Sequence, residues 1–238
     1  MKCPKCDREL MEVMLLCHPP KYGVKCDKTC GFEYTSDHPV KESEIRGKND
    51  IEDEIRNSWF KHHKAKYEIV TPSLRILEWK NPDSLHMNIR YVMDGKNMYV
   101  TGDLYSAVFR FTGEATLANL NGYSLHYFKE KLATSQQPEN IFNRTLAKRE
   151  LEEWFRGHYD LEDEDTRELL EILITRTDEC SSVEDWVQIV RDNEDCLSEL
   201  DRDYWEWIYD MGSETSHYIK AYLIGIKMSF EQITKMEG

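Results

Sequence analysis

Four cysteines near the amino terminus have the residue type and spacing of a metal site. Cys3 and Cys6 form a Cys-x-x-Cys knuckle, and Cys26 and Cys30 form a second pair with three residues between them. Four thiolates close a tetrahedron around Zn²⁺ at Zn–S distances of about 2.3 Å, which leaves no open position for catalysis. The chemistry also has a folding rationale. A segment this short buries too little apolar surface to fold unaided, and bound zinc supplies on the order of 10–16 kcal/mol to such a module. Cys17 and His18 lie between the pairs and read as structural. The expectation is one structural Zn²⁺ held by Cys3, Cys6, Cys26 and Cys30, although the second pair is one residue longer than the usual ribbon spacing.

Other chemistry is sparse. The sequence contains no Gly-x-Ser-x-Gly elbow, Walker loop, Gly-x-Gly-x-x-Gly fingerprint or His-Glu-x-x-His helix. The string Val100-Thr101-Gly102-Asp103-Leu104 could set a carboxylate at a strand end, where acid–base chemistry is possible. No histidine or second carboxylate stands at a supporting spacing, so Asp103 reads as a turn residue. His62 and His63 lie among Lys61, Lys64 and Lys66; the run reads as a solvated helix end rather than a phosphate contact. A non-enzymatic role is expected.

Charge is distributed unevenly. The 238-residue chain has a net charge of −14, and the segment from Glu150 to Asp203 holds 20 acidic residues against 5 arginines. Such a segment repels nucleic acid and attracts basic surfaces. Solvated faces of amphipathic helices are its ordinary explanation; the sharper one is a docking or decoy surface for a nucleic-acid-binding protein. Glu162, Asp163, Glu164, Asp165, Asp192, Glu194 and Asp195 are the candidate partner contacts, dense in charge and placed at expected loops or helix starts. Tyr204 and Trp207, at i, i+3 spacing, read as a core face. The alternative function is a nucleic-acid-binding adaptor working through Lys2, Lys5, Arg8, Lys21, Lys25 and Lys28. Asp7, Glu9, Glu12, Asp27 and Glu33 nearly cancel those cations, so direct nucleic-acid binding is disfavoured.

The elements that must carry these residues follow from periodicity. Residues 1–36 are expected to form the zinc ribbon, with extended segments at Leu10 to Leu16, Tyr22 to Lys25 and Phe32 to Thr35. Residues 37–66 form a helical connector, its stripe made by Ile51, Ile55 and Trp59. Residues 67–238 form an α+β domain, with strands over about 69–111 and helices over about 116–236. Met87, Ile89, Tyr91 and Met93 alternate with polar neighbours, and Asp94-Gly95 is a hairpin signal before Met98 to Thr101. Tyr123 to Ala133 reads as a helix, Pro138 as the first turn of the next, and Ser182 to Asp185 as a capping sequence. Gly225 interrupts the last apolar helix at a cost of about 1 kcal/mol and marks a close contact. The fold class is thus α+β: an N-terminal zinc ribbon, an antiparallel β-meander and a C-terminal set of helices. No run approaches the roughly 18 apolar residues of a membrane span, and no leader precedes Cys3, so a cytoplasmic protein is expected.

Several strings carry a resemblance. Val100-Thr101-Gly102-Asp103-Leu104 with Ala107-Val108-Phe109, Glu184-Asp185-Trp186, Asp203-Tyr204-Trp205-Glu206-Trp207 and Tyr222-Leu223-Ile224-Gly225-Ile226 resemble small proteins of phages and mobile elements of Gram-positive bacteria, over about Ile69 to Met236. The ribbon together with this body resembles zinc-containing anti-CRISPR proteins, inhibitors of type II Cas9. That resemblance implies a stoichiometric binder in the bacterial host cell that stops Cas9 from loading or cutting target DNA, with no family active-site residues to carry over. An acidic surface suits the role, because Cas9 holds nucleic acid in positively charged channels.

Overall fold

The computed structural model describes residues 9–15, 21–26, 33–36 and 50–237. They form a mixed α+β fold, with strands first, a central sheet and helices toward the C-terminal end. At the N-terminal side, β1 (Leu10–Leu15), β2 (Lys21–Cys26) and β3 (Glu33–Ser36) pair antiparallel in that order. Val24, on the central strand, is fully buried. Cys26 lies opposite Leu10 in the ladder, and both are buried.

That placement bears on the expected metal. Among the described residues, no group of three or more His, Cys, Asp or Glu side chains is positioned to hold an ion. The expectation of a structural Zn²⁺ is corrected accordingly. Cys26 sits within the packed strand ladder, where a cysteine behaves as a small hydrophobe. Cys3, Cys6 and Cys30 lie outside the described residues.

The central sheet has six strands, each antiparallel to its neighbour in sequence: β4 (Lys64–Ile69), β5 (Leu74–Lys80), β6 (Ile89–Asp94), β7 (Asn97–Gly102), β8 (Ala107–Arg110) and β9 (Leu132–Ser135). Alternation of side chains puts Leu77, Trp79, Ile89, Tyr91, Met93, Met98, Val100 and Phe109 on one buried face. The β6–β7 turn places Gly95 at φ 57°, the positive dihedral that a two-residue hairpin loop requires. Helix α1 (Asp50–Glu54) runs into a π-helical turn, Ile55–Trp59, whose Ile55 joins the sheet's core with Phe60. After β8 come two short helices, α2 (Leu117–Asn121) and α3 (Leu125–Glu130). The expected helix over Tyr123 to Ala133 therefore stops early. Phe128 buries against Phe109 and Phe111, and the Lys131 carbonyl accepts from the Arg110 amide at 2.8 Å, which turns Leu132 onward into β9.

The second hydrophobic cluster is helical. Asn140–Phe142 (β10) pairs with Ser213–Thr215 (β11), so Pro138 precedes a strand and not a helix. Asn143 caps α4 (Arg144–His158), accepting from the Leu146 amide at 3.0 Å. Then follow α5 (Glu164–Arg176), α6 (Val183–Asp192) and α7 (Glu194–Leu200). Leu151, Phe155, Leu170, Leu173, Trp186, Val190 and Leu197 pack together between them. The last helix, α8 (His217–Glu237), returns to the sheet and lays Ile219, Tyr222, Leu223 and Ile226 on its buried face.

The start of α6 shows how this unit is fixed locally. The Ser182 hydroxyl accepts from the Asp185 amide at 3.1 Å, and the Asp185 carboxylate accepts from the Ser182 and Ser181 amides at 3.0 and 2.8 Å, a full capping box. The Ser181 hydroxyl and these amides hold the Asp185 carboxyl down at about 2. Its folded pKa lies below its unfolded value, so its stabilisation is complete above about pH 4 and is lost as pH falls toward 2. Ser182→Ala is expected to cost about 1 kcal/mol in urea unfolding. Asp185→Asn should flatten the acid limb of the stability curve in that window; an unchanged limb would rule out this carboxylate as its source.

Candidate functional site

The helical unit leaves a groove of about 470 Å³ between α5 and α7. Its floor is apolar. Leu169 is almost buried, Leu200 is half-buried, and Ile172 is 39% exposed, high for an aliphatic side chain on a helix that already has a core face. Its rim is acidic: Asp163, Asp165 and Glu168 from the α5 side and Glu199 from α7. An extension of about 370 Å³ continues along α5, sharing Glu168 and Ile172 and reaching Glu171, Thr175 and Arg176. On α5 these positions recur three and four residues apart, so they form one continuous ridge and trough along the helix.

Local structure explains the placement. Asp163 is the N-cap of α5, accepting from the Thr166 amide at 2.9 Å, and the Thr166 hydroxyl together with that amide holds its carboxyl below the usual range. Leu170 and Leu173 turn α5 toward the core, which leaves Ile172 to face outward. Asn193 joins α6 to α7 by donating its side-chain amide to the Ile189 carbonyl at 2.8 Å, and Leu197 anchors α7. The exposed Cys196 and half-buried Asn193 line the α7 wall.

Electrostatics divide the acidic surface in two. Arg176 pairs with Glu179 at 2.7 Å and Asp192 at 3.7 Å, and Arg167 with Glu164 at 3.7 Å. Among the described residues no lysine or arginine pairs with Asp165, Glu168 or Glu199. The groove rim therefore carries uncompensated negative charge beside exposed aliphatic surface, an arrangement that binds cations attached to apolar groups.

The seven acids expected as partner contacts are all exposed. Asp163 and Asp165 line the groove, with Glu162 and Glu164 beside them at the start of α5. Asp192 is turned to Arg176 and to Gln188, and Glu194 to the Tyr204 phenol, which burial and that carboxylate push up to about 12. Asp195 lies in the first turn of α7. Sequence reasoning missed Glu168, Ile172, Glu199 and Leu200. A signal existed: Leu169, Leu170, Ile172, Leu173 and Ile174 are five apolar residues in six, too many for one helix face.

Three other groups among the described residues, Asp103, His63 and Asp201, are held in structural contacts. The Asp103 carboxylate accepts from the Asn88 amide at 2.9 Å and the Asp103 amide donates to the Asn88 carbonyl at 2.9 Å, a clamp across the mouth of β6 and β7. His63 is buried between Phe60 and Trp79, donates Nε2–H to the Met87 carbonyl at 2.9 Å, and is pushed down in pKa by burial, which removes it from any phosphate-contact patch. Asp201 accepts from Tyr159 at 2.9 Å and Trp207 at 3.1 Å, tying down the loop before Tyr204. Tyr204 is buried and Trp207 half-buried in the helical cluster, while Trp205 between them is exposed. No helix among the described residues is long and apolar enough to cross a membrane. No protein-family model, curated protein or solved structure matches this chain, so its functional reading rests on geometry and charge.

Proposed function

We propose that this protein is a non-catalytic, stoichiometric inhibitor of the anti-CRISPR type that presents its acidic helices to the positively charged nucleic-acid channel of a bacterial enzyme, with type II Cas9 as the target. The observation that carries the proposal is the α5–α7 groove, where unpaired carboxylates border exposed aliphatic surface. A basic protein surface fits that chemistry, whereas nucleic acid would bring phosphates against carboxylates. Cas9 holds its heteroduplex through Arg and Lys contacts to the backbone, and acids compete for the same cations. The β4–β9 sheet serves in this reading as the rigid support on which α8 packs once the chain has left the helical unit.

The test is cleavage of a target duplex by guide-loaded Cas9 with added protein. Cleavage should fall in proportion to inhibitor and stop near about one equivalent, the signature of a binder and not of turnover. Reversing Glu162, Glu164 and Asp165 to lysine should weaken inhibition by about tenfold at low salt and less at high salt, as screening removes the long-range attraction. Asp163 is left in place because it caps α5. Uninhibited cutting at large excess refutes the proposal; equal inhibition by the reversed variant removes the acidic surface from it.

A further inference from the structure

We infer that the α5–α7 groove seats one amphipathic helix of a protein partner, an aliphatic anchor resting on Ile172 and Leu200 and its lysines or arginines reaching Asp165, Glu168 and Glu199. This deepens the proposed function by naming the occupant of the surface on which that function rests. The occupant's chemistry follows from the walls. An exposed aliphatic floor favours an apolar anchor, and a carboxylate rim without cations of its own favours positive charge. A purely basic, polar segment would leave Ile172 in water, and a purely apolar one would bury carboxylates without partners.

Shape selects a helix. The α5 wall offers ridges three and four residues apart over Asp165, Glu168, Ile172 and Thr175, and the α7 wall offers Asn193, Cys196, Glu199 and Leu200 on the same pattern. Ridges of a third helix fit between two such walls, and helix-in-groove binding reads anchors at this spacing. Helix α5 has 13 residues, a length of about 20 Å, enough for roughly three to four turns of the occupant. The charge has a direction as well. The Arg176 end is already neutralised by Glu179 and Asp192, so the occupant's cations belong at the Asp163–Asp165 end.

The test uses the full chain and a fluorescein-labelled designed peptide of about four helical turns, leucine on one face and lysine on the other, read by fluorescence anisotropy. Ile172→Ser, which leaves charge unaltered, should weaken binding by about tenfold, and Glu168→Lys with Glu199→Lys by more. Glu152→Lys with Glu153→Lys changes net charge equally on the exposed face of α4 and should cost less than about threefold. Circular dichroism melts identify any variant that fails to fold, in which case Ile172→Thr takes its place. Equal losses from the two double reversals would mean that bulk charge alone attracts the peptide, and would overturn the inference. So would full binding by Ile172→Ser. Because peptide binding is measured without Cas9, either claim can fail while the other stands.

Discussion

Glu214→Ala is expected to destabilise the protein by about 3–5 kcal/mol, measured by urea unfolding at neutral pH. Glu214 lies on β11, just before α8, and its carboxylate pairs with Lys220 and accepts from the Asn143 amide at 2.8 Å. Lys220 is 8% exposed. Removing the carboxylate strands a buried ammonium and leaves the Asn143 side chain without its acceptor, and Asn143 is also the cap of α4. Three segments of the chain, β11, α4 and α8, thus lose one shared contact. Burial would push the Glu214 carboxyl up, but the Asn143 amide and the Lys220 ammonium outweigh it, and the carboxyl is held below its ordinary value while His217 adds a weaker pull in the same direction. A lowered folded pKa means stabilisation present above the usual carboxylate range and lost as pH falls through it. The variant should therefore differ from wild type at neutral pH and converge with it in acid. Glu214→Gln with Lys220→Met should recover most of the loss, since an uncharged pair has no stranded ion. A loss below about 1 kcal/mol for Glu214→Ala would show that Lys220 finds solvent, and would remove the pair from the fold's energetics.

Which parts of this molecule were legible in its sequence follows from how local each signal is. The hairpin at Asp94-Gly95, the alternation of Ile89, Tyr91 and Met93, and the capping box at Ser182 and Asp185 are short-range devices, and each stands where its residues indicate. The strands β9 and β11 were not legible, because each is short and exists only through a distant partner: Leu132–Ser135 through Ala107–Arg110, Ser213–Thr215 through Asn140–Phe142. The groove was half legible. Asp163 and Asp165 stand out as charge, but Glu199 lies about 34 positions after Asp165 and joins it only when α7 packs beside α5. The metal expectation shows the reverse failure. Spacing of cysteines is a strong local pattern, yet Cys26, the one described member, belongs to a packed strand ladder. A pattern of residue types names a chemistry; only the packing of the side chains shows whether they converge on it.

Gly225→Ala carries an expected result opposite in sign to the helix rule. In an exposed helix the change would stabilise by about 1 kcal/mol. Here α8 crosses directly over β5 and β6, and a methyl at position 225 would lie 2.5 Å from the Tyr91 hydroxyl and 3.2 Å from Trp79 Cδ1. Neither neighbour retreats easily. Tyr91 is fully buried and donates to the Tyr222 carbonyl at 3.0 Å, while Trp79 is fully buried and packed on Phe60. The helix must lift from the sheet or the tyrosine must abandon its bond, and overpacking of this kind costs about 1–3 kcal/mol. The net expectation is a loss of about 2 kcal/mol by urea unfolding. Tyr91→Phe in the same chain removes the oxygen that the methyl meets, so the double variant should regain part of what Gly225→Ala loses even though Tyr91→Phe alone is destabilising. That non-additivity is the diagnostic, because two independent defects would simply sum. If Gly225→Ala were stabilising, or the two changes additive, the glycine would be a tolerated interruption of the helix, and the close approach of α8 to the sheet would need another cause.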